Sequence, residues 1–285
     1  MKLPFTIDLK NKVAVVTGGA GVLCSPMVDA IAQCGAKVAI LDLNLERAQA
    51  KADEVIKNGG IALGVSANVL DKDSLKAAHE EILRELGPCD ILINGAGGNH
   101  PKGQTSRDYL YAEDLENENS DLKTFFDLDK DGVQFVFNLN FLGTLLPTQE
   151  FSRDMINKAG ANIINISSMN AFTPLTRIPA YSGAKAAVSN FTQWLAVHMS
   201  KVGIRVNALA PGFFISEQNR ALLLNEDGSF TARAGKIINS TPMERFGKAE
   251  ELLGTLLFLI SEDAASFITG TVIPIDGGFS AYSGV

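Results

Sequence analysis

The chain is poor in residues that build metal centres and disulfide frameworks. Three cysteines (Cys24, Cys34, Cys89) and three histidines (His79, His100, His198) are scattered along 285 residues. They lack the paired spacing of metal ligands, and an odd thiol count suits a reducing compartment. No metal is therefore expected, and the expected setting is cytoplasmic. Basic charge is also short. The 25 Lys and Arg against 32 Asp and Glu leave a net charge of −7, whereas nucleic-acid binders show a basic face. No apolar stretch reaches the about 18 uninterrupted residues of a membrane span. The opening "MKLPFTIDLKNK" lacks the roughly 7–15-residue apolar run of a secretion leader. Neither a nucleic acid nor a membrane is expected as a partner.

What is present is a repeated alternation. Short β-branched runs fall at Val13–Thr17, Lys37–Asp42, Ile61–Ser66, Asp90–Asn94, Asn162–Ser167, Ile204–Ala210 and Thr271–Asp276. Most are apolar throughout, as strands covered on both faces are. Amphipathic segments lie between them near 25–34, 45–58, 72–86, 133–158, 180–201 and 248–261. This pattern predicts an α/β fold of the Rossmann type: a doubly wound parallel sheet of about seven strands with helices on both faces. No repeat or linker divides residues 1–285, so one catalytic domain is expected. Two long polar connections, near 98–131 and 213–246, follow the fourth and sixth strands. Open α/β sheets bind ligands at those carboxyl ends, so both are expected to act as substrate loops.

The first strand runs into "TGGAGVLC", Thr17–Cys24. Glycines between a strand and a helix permit a tight turn and close approach of phosphate oxygens, and a helix N-terminus favours a pyrophosphate. Gly18, Gly19 and Gly21 are present, with Val22 and Leu23 completing the turn. Asp42 ends the second strand, where its carboxylate can accept from both adenosine ribose hydroxyls and would repel a 2′-phosphate. With no Lys or Arg in "LDLNLE", the cofactor expected is NAD (NADH). Asn68 and Val69 follow the third strand; Asn68 is read either as a contact to the adenine edge or as a helix cap.

"YSGAK" places Tyr181 and Lys185 four residues apart, on one face of a helix. A lysine ammonium there is expected to draw the tyrosine from about 10 towards neutrality, ready to exchange a proton with an alcohol. Ser168, at the end of the fifth strand, can orient the substrate oxygen.

These motifs together resemble the short-chain dehydrogenase/reductase family, in its compact single-domain branch, from about Asn11 to Gly278. The resemblance implies a catalytic set of Asn140, Ser168, Tyr181 and Lys185, with Asn140 holding a water in a proton relay to the lysine. It also implies cofactor contacts from Asn94, Ala96 and Gly97, from Tyr181 and Lys185, from Pro211, Gly212 and Phe214, and from Ser216. Asp276, Gly277 and Gly278 match the family's last motif. The usual branch pattern T-G-x-x-x-G-x-G is broken at Val22 and Cys24. Gly21 fits the spacing of the larger epimerase branch, but the chain has no room for that branch's extra domain. Cys24 is read as a packing residue, a reactive thiol being the alternative.

Asn99, His100, Lys102 and Arg177 suit a polar, anionic small-molecule substrate. A carboxylate clamp by Lys102 and Arg177 is expected, solvated loop charge being the alternative. "TGGAGVLC" and "NGAGGNHPK" resemble the sugar-acid group of this family, which implies a D-mannonate/D-fructuronate pair. Gluconate 5-dehydrogenase or another sugar or polyol dehydrogenase stands second, and a non-catalytic NAD-binding regulator is the reading from another class. The resemblance further implies a homotetramer.

Overall fold

The seven apolar runs become seven parallel strands. The computed structural model describes residues 6–116, 121–215, 220 and 223–284. Strands β1 (Val13–Thr17), β2 (Lys37–Asp42), β3 (Ile61–Ser66), β4 (Ile91–Asn94), β5 (Asn162–Ile166), β6 (Arg205–Pro211) and β7 (Val272–Ile275) pair in the order β3-β2-β1-β4-β5-β6-β7. The order reverses between β1 and β4, opening the crevice in which doubly wound sheets hold ligands. Thr17 pairs with both Leu41 and Asn94, so the glycine turn, the end of β2 and the end of β4 meet at one edge.

Helices α1 (Cys24–Gln33), α2 (Leu45–Lys57), α3 (Lys72–Glu85), α4 (Lys130–Phe137), α5 (Gly143–Phe151), α6 (Pro179–His198), α7 (Ala232–Asn239), α8 (Leu253–Ile260) and α9 (Glu262–Ala265) complete the chain. Alternate strand residues serve opposite faces. Ala14, Val16, Ile91 and Ile93 pack under α1 and α8. Val13, Val15 and Leu92 pack under α3 and α6, beside Phe151 and Met155. Among the described residues no helix is long and apolar enough to cross a membrane.

Two segments differ from the sequence expectation. The helix expected over 133–158 starts at Lys130 and is broken by a π turn at Asn138–Leu142 and by a 3₁₀ turn at Ser152–Met155. Within the π turn the Asn140 side chain donates to the Val136 carbonyl (2.7 Å), the group a regular helix reserves for a backbone amide. The polar connection 213–246 contains α7, capped by Thr231, which accepts from the Ala234 amide. The connection 98–131 carries 3₁₀ turns at Pro101–Gly103, Ala112–Glu116 and Phe125–Asp127.

One packing contact has a pH signature. His79 of α3 lies between Glu150 and Asp154, at 2.8 Å from each. Burial lowers its pKa, but the hydrogen bonds to Glu150 and Asp154 outweigh that and raise it above 6.5. A raised histidine stabilises the fold fully below the unfolded value and loses that contribution as pH rises through the folded one. His79→Gln is therefore expected to lower the melting temperature more at acidic than at alkaline pH, measured by thermal denaturation across that range. An equal drop at both ends would reject the assignment.

Candidate active site

The glycine turn is shaped by steric limits. Gly18 has φ +62°, and a Cβ there would lie 3.0 Å from the Ala96 backbone. Only glycine meets both conditions. The Thr17 hydroxyl accepts from the Gly95 and Ala96 amides (3.1 and 3.2 Å), tying the turn to the loop after β4. Side-chain caps close α2, α3, α4 and α7 through Asn44, Asp71, Asp129 and Thr231. At α1 the Leu23 position offers none; Ser25 donates its amide to the Gly21 carbonyl (2.8 Å) and Pro26 has no N–H, so among the described residues the Leu23 and Cys24 amides remain for an anion. Gly19 and Gly21 line the turn, while Leu23 packs on the core and Val22 stays exposed.

Cys24 is buried, and its thiol fills the space where a Cβ on Gly95 would stand. Burial pushes the thiol up to about 12, so the reactive-thiol alternative fails: thiolate is the reactive form. Packing is what remains.

Asp42 sits at the end of β2 and accepts from the Asn44 amide with one oxygen. The turn-plus-acid geometry fits an adenosine dinucleotide. Arg47, the residue directly after "LDLNLE", is a neighbour of this turn that the motif does not include. Its guanidinium donates to the Ala20 carbonyl (2.9 Å) and braces the glycine turn. Asn68 caps no helix: α3 is capped by Asp71, and Asn68 accepts from Leu70 in a local turn. Val69 is buried against Gly143.

Several sequence-assigned contacts lie elsewhere. The Asn94 carboxamide donates to Thr148 and Asn165 (both 2.9 Å), inside a buried polar network that continues to Thr192. Its Nδ2 joins sheet to helices, and its Oδ1 is buried without a partner among the described residues. Phe214 turns inward, packed so closely on Gly247 that a Cβ there would lie 2.5 Å from the ring. Its neighbour Phe213 instead lines the cavity described below. Ser216 lies outside the described residues. Gly212 abuts Asp276, leaving no room for a side chain (2.6 Å), and Pro211 ends β6.

Ser168, Tyr181, Lys185 and Asn140 do converge. The Lys185 ammonium donates to the Ile166 carbonyl (2.8 Å) and lies 5.6 Å from the Tyr181 ring centroid. The Asn140 carboxamide donates to the Gly98 and Val136 carbonyls (2.7 Å each). Asn140 Oδ1 and Lys185 Nζ both stand within 3.3 Å of the point where a Gly97 Cβ would be. The expected fall of the Tyr181 pKa is not found. Burial pushes the phenol up to about 12, with the Ser168 hydroxyl opposing. Burial also pushes Lys185 down to about 8. Desolvation penalises the charged form of each group, and a lysine over the ring at 5.6 Å does not offset it.

A cavity of about 410 Å³ opens between the Ser168–Tyr181 connection, the segment after β6 and α7. Among the described residues its wall holds Arg177, Arg233 and Lys236 and one acid, Asp108. Both long connections contribute to it. Lys102 is exposed on its 3₁₀ turn and lines none of this cavity, so it does not join Arg177 in a clamp. Asn99 and His100 are held in local turns: Asn99 accepts from the His100 amide, and the His100 ring packs on Phe135 (5.1 Å).

Comparison with known proteins agrees with this architecture. The profile of the short chain dehydrogenase family matches residues 12–227. An uncharacterized oxidoreductase of Haemophilus influenzae is 58% identical over 285 residues, all of this chain and 99% of its own. An uncharacterized oxidoreductase of Bacillus subtilis, UxuB, is 50% identical over 283 residues, 99% of this chain and 100% of its own. A solved Haemophilus influenza structure with bound NAD, proposed by its name to be a D-mannonate oxidoreductase, superposes with a TM-score of 0.93 at 57% identity over the whole of both chains. The chain belongs to the short-chain dehydrogenase family.

Proposed function

We propose that the protein is an NAD-dependent oxidoreductase that interconverts a secondary alcohol and a ketone on a sugar acid, with D-mannonate and D-fructuronate as the pair. The observation that carries the substrate class is the cavity wall, where among the described residues three cations stand beside one carboxylate. Such a wall favours a small anion. The NAD-bound Haemophilus structure, proposed by its name to be a D-mannonate oxidoreductase, supports NAD as cofactor and D-mannonate as substrate.

When bound, the dinucleotide would supply a hydride for the substrate carbonyl carbon. The protein's own groups do the rest. Gly18, Gly19 and Gly21 with the Leu23 and Cys24 amides would seat the pyrophosphate, and Asp42 would take the ribose hydroxyls and select against a 2′-phosphate. Ala96, Gly97, Pro211 and Gly212 border the nicotinamide side. Ser168 holds the carbonyl oxygen of the substrate. Tyr181, whose phenol burial pushes up, gives that oxygen its proton during reduction. Lys185 returns a proton to Tyr181, and Asn140 would hold the water that resupplies Lys185 in the space beside Gly97. A homotetramer in a cytoplasmic setting goes with this reading. The exposed outer face of α6, where Trp194 stacks on His198 (4.8 Å) and Phe191 (6.1 Å), offers an apolar surface for a partner subunit.

The test is NADH consumption with D-fructuronate beside 5-keto-D-gluconate and uncharged D-fructose. D-fructuronate is expected to give the highest kcat/KM. A higher value with D-fructose would overturn the sugar-acid reading, and a higher value with 5-keto-D-gluconate would move the assignment to that acid.

A further inference from the structure

We propose that Asp108 is a positioning residue that aims the Arg177 guanidinium at the substrate carboxylate, so that the long connection after β4 selects the substrate. The proposal deepens the sugar-acid reading above and rests on it.

Arg177 is held at three points. Its Nε donates to Asp108 Oδ1 at 2.6 Å. Its backbone carbonyl accepts from the Thr105 amide at 2.9 Å. Its φ is +69°, a left-handed conformation costly for a residue with a Cβ. Two of these restraints come from one stretch of the 98–131 connection. That stretch is itself pinned where Arg107 pairs with Asp114. A surface arginine carrying ordinary solvated charge needs none of this.

The pairing also leaves the working end of Arg177 free. Among the described residues only Nε has a partner; the terminal nitrogens Nη1 and Nη2 have none. Asp108 has little capacity left to compete for them. Its Oδ1 also accepts from Thr176 (3.3 Å), and its Oδ2 is taken by Lys236 of α7 (3.1 Å). The hydrogen bonds of Arg177 and Lys236 hold its carboxyl near 2, so it stays an anion throughout the working range. Arg177 thus offers a planar pair of donors in the wall of a cavity of about 410 Å³, the geometry that takes a carboxylate through two parallel hydrogen bonds. Asp108 fixes the plane of that fork from behind.

The experiment is steady-state kinetics of D-fructuronate reduction in Asp108→Ala, Asp108→Asn, Arg177→Ala and the Asp108→Ala/Arg177→Ala double variant. Loss of an orienting charge-assisted hydrogen bond is expected to raise KM about tenfold in Asp108→Ala, with kcat falling less than about threefold. Arg177→Ala is expected to raise KM about a hundredfold through loss of the bidentate contact. The double variant should match Arg177→Ala alone, because Asp108 acts only through Arg177. Asp108→Asn, which keeps an acceptor for Nε, should recover most of the affinity. An unchanged KM in Asp108→Ala, or additive KM effects in the double variant, overturns the proposal. Should the wild-type protein fail to reduce D-fructuronate, the substrate assignment falls separately. Quenching of bound NADH fluorescence by D-gluconate then reads the carboxylate site directly. Binding weakened about tenfold by Asp108→Ala sustains the role of Asp108, and equal binding, or none in the wild type, removes it.

Discussion

Tyr181→Phe is expected to lower the rate of ketone reduction on the order of 10³-fold, the usual scale of a positioned proton donor, while NADH binding stays within about twofold. The substitution removes one oxygen and keeps the ring that Lys185 faces at 5.6 Å. Because burial holds the phenol up to about 12, it is protonated at neutral pH and suited to donation. Lys185 is the weaker link, because burial brings it down to about 8. Below that value it is an ammonium that restores the Tyr181 proton; above it the ammonium is lost. The reduction rate of the wild type should fall as pH rises through about 8. Paired measurements of NADH fluorescence and NADH oxidation check the first expectation. A Tyr181→Phe variant that turns over like the wild type would falsify the assignment.

How much of this was legible in the sequence depended on the range of the interaction. The strands were, since each is a local apolar run whose neighbours follow from the parallel alternation. Tyr181 and Lys185 were, since four residues on a helix fix their shared face. The π turn at Asn138–Leu142 was not, because a side-chain bond from Asn140 to Val136 displaces the regular helix pattern. Helix α7 was hidden in a polar connection, although Thr231 and the pair Ala234 and Ile237 carried a cap and an apolar stripe. Which of Phe213 and Phe214 turns inward is decided by Gly247, more than thirty positions on, not by the dipeptide. Asn94 looked like a cofactor contact because its motif is local, while its partners Thr148 and Asn165 lie far along the chain. The clamp failed for the same reason. Lys102 and Arg177 are both loop cations, and only the fold shows that Arg177 reaches the cavity wall and Lys102 does not.

Gly18→Ala carries the second large effect, because two penalties meet at one position. The backbone sits at φ +62°, where a residue with a Cβ is strained by about 1–2 kcal/mol. The new methyl would also lie 3.0 Å from the Ala96 Cα and N, and backbone atoms anchored by Thr17 cannot swing aside. Relief requires the glycine turn to move away from the loop after β4, which spreads the crevice where the dinucleotide would sit. NADH affinity is expected to fall at least about tenfold, which corresponds to about 1.4 kcal/mol. Gly59→Ala supplies the control. Gly59 has φ +87° with nothing within 4 Å of a Cβ, so it carries the strain without the collision. That variant should lose stability on the order of 1 kcal/mol and bind NADH as the wild type does. Fluorescence titration beside chemical denaturation separates the two. If Gly18→Ala matches Gly59→Ala in both measurements, the close approach of the turn to Ala96 has no part in holding the cofactor.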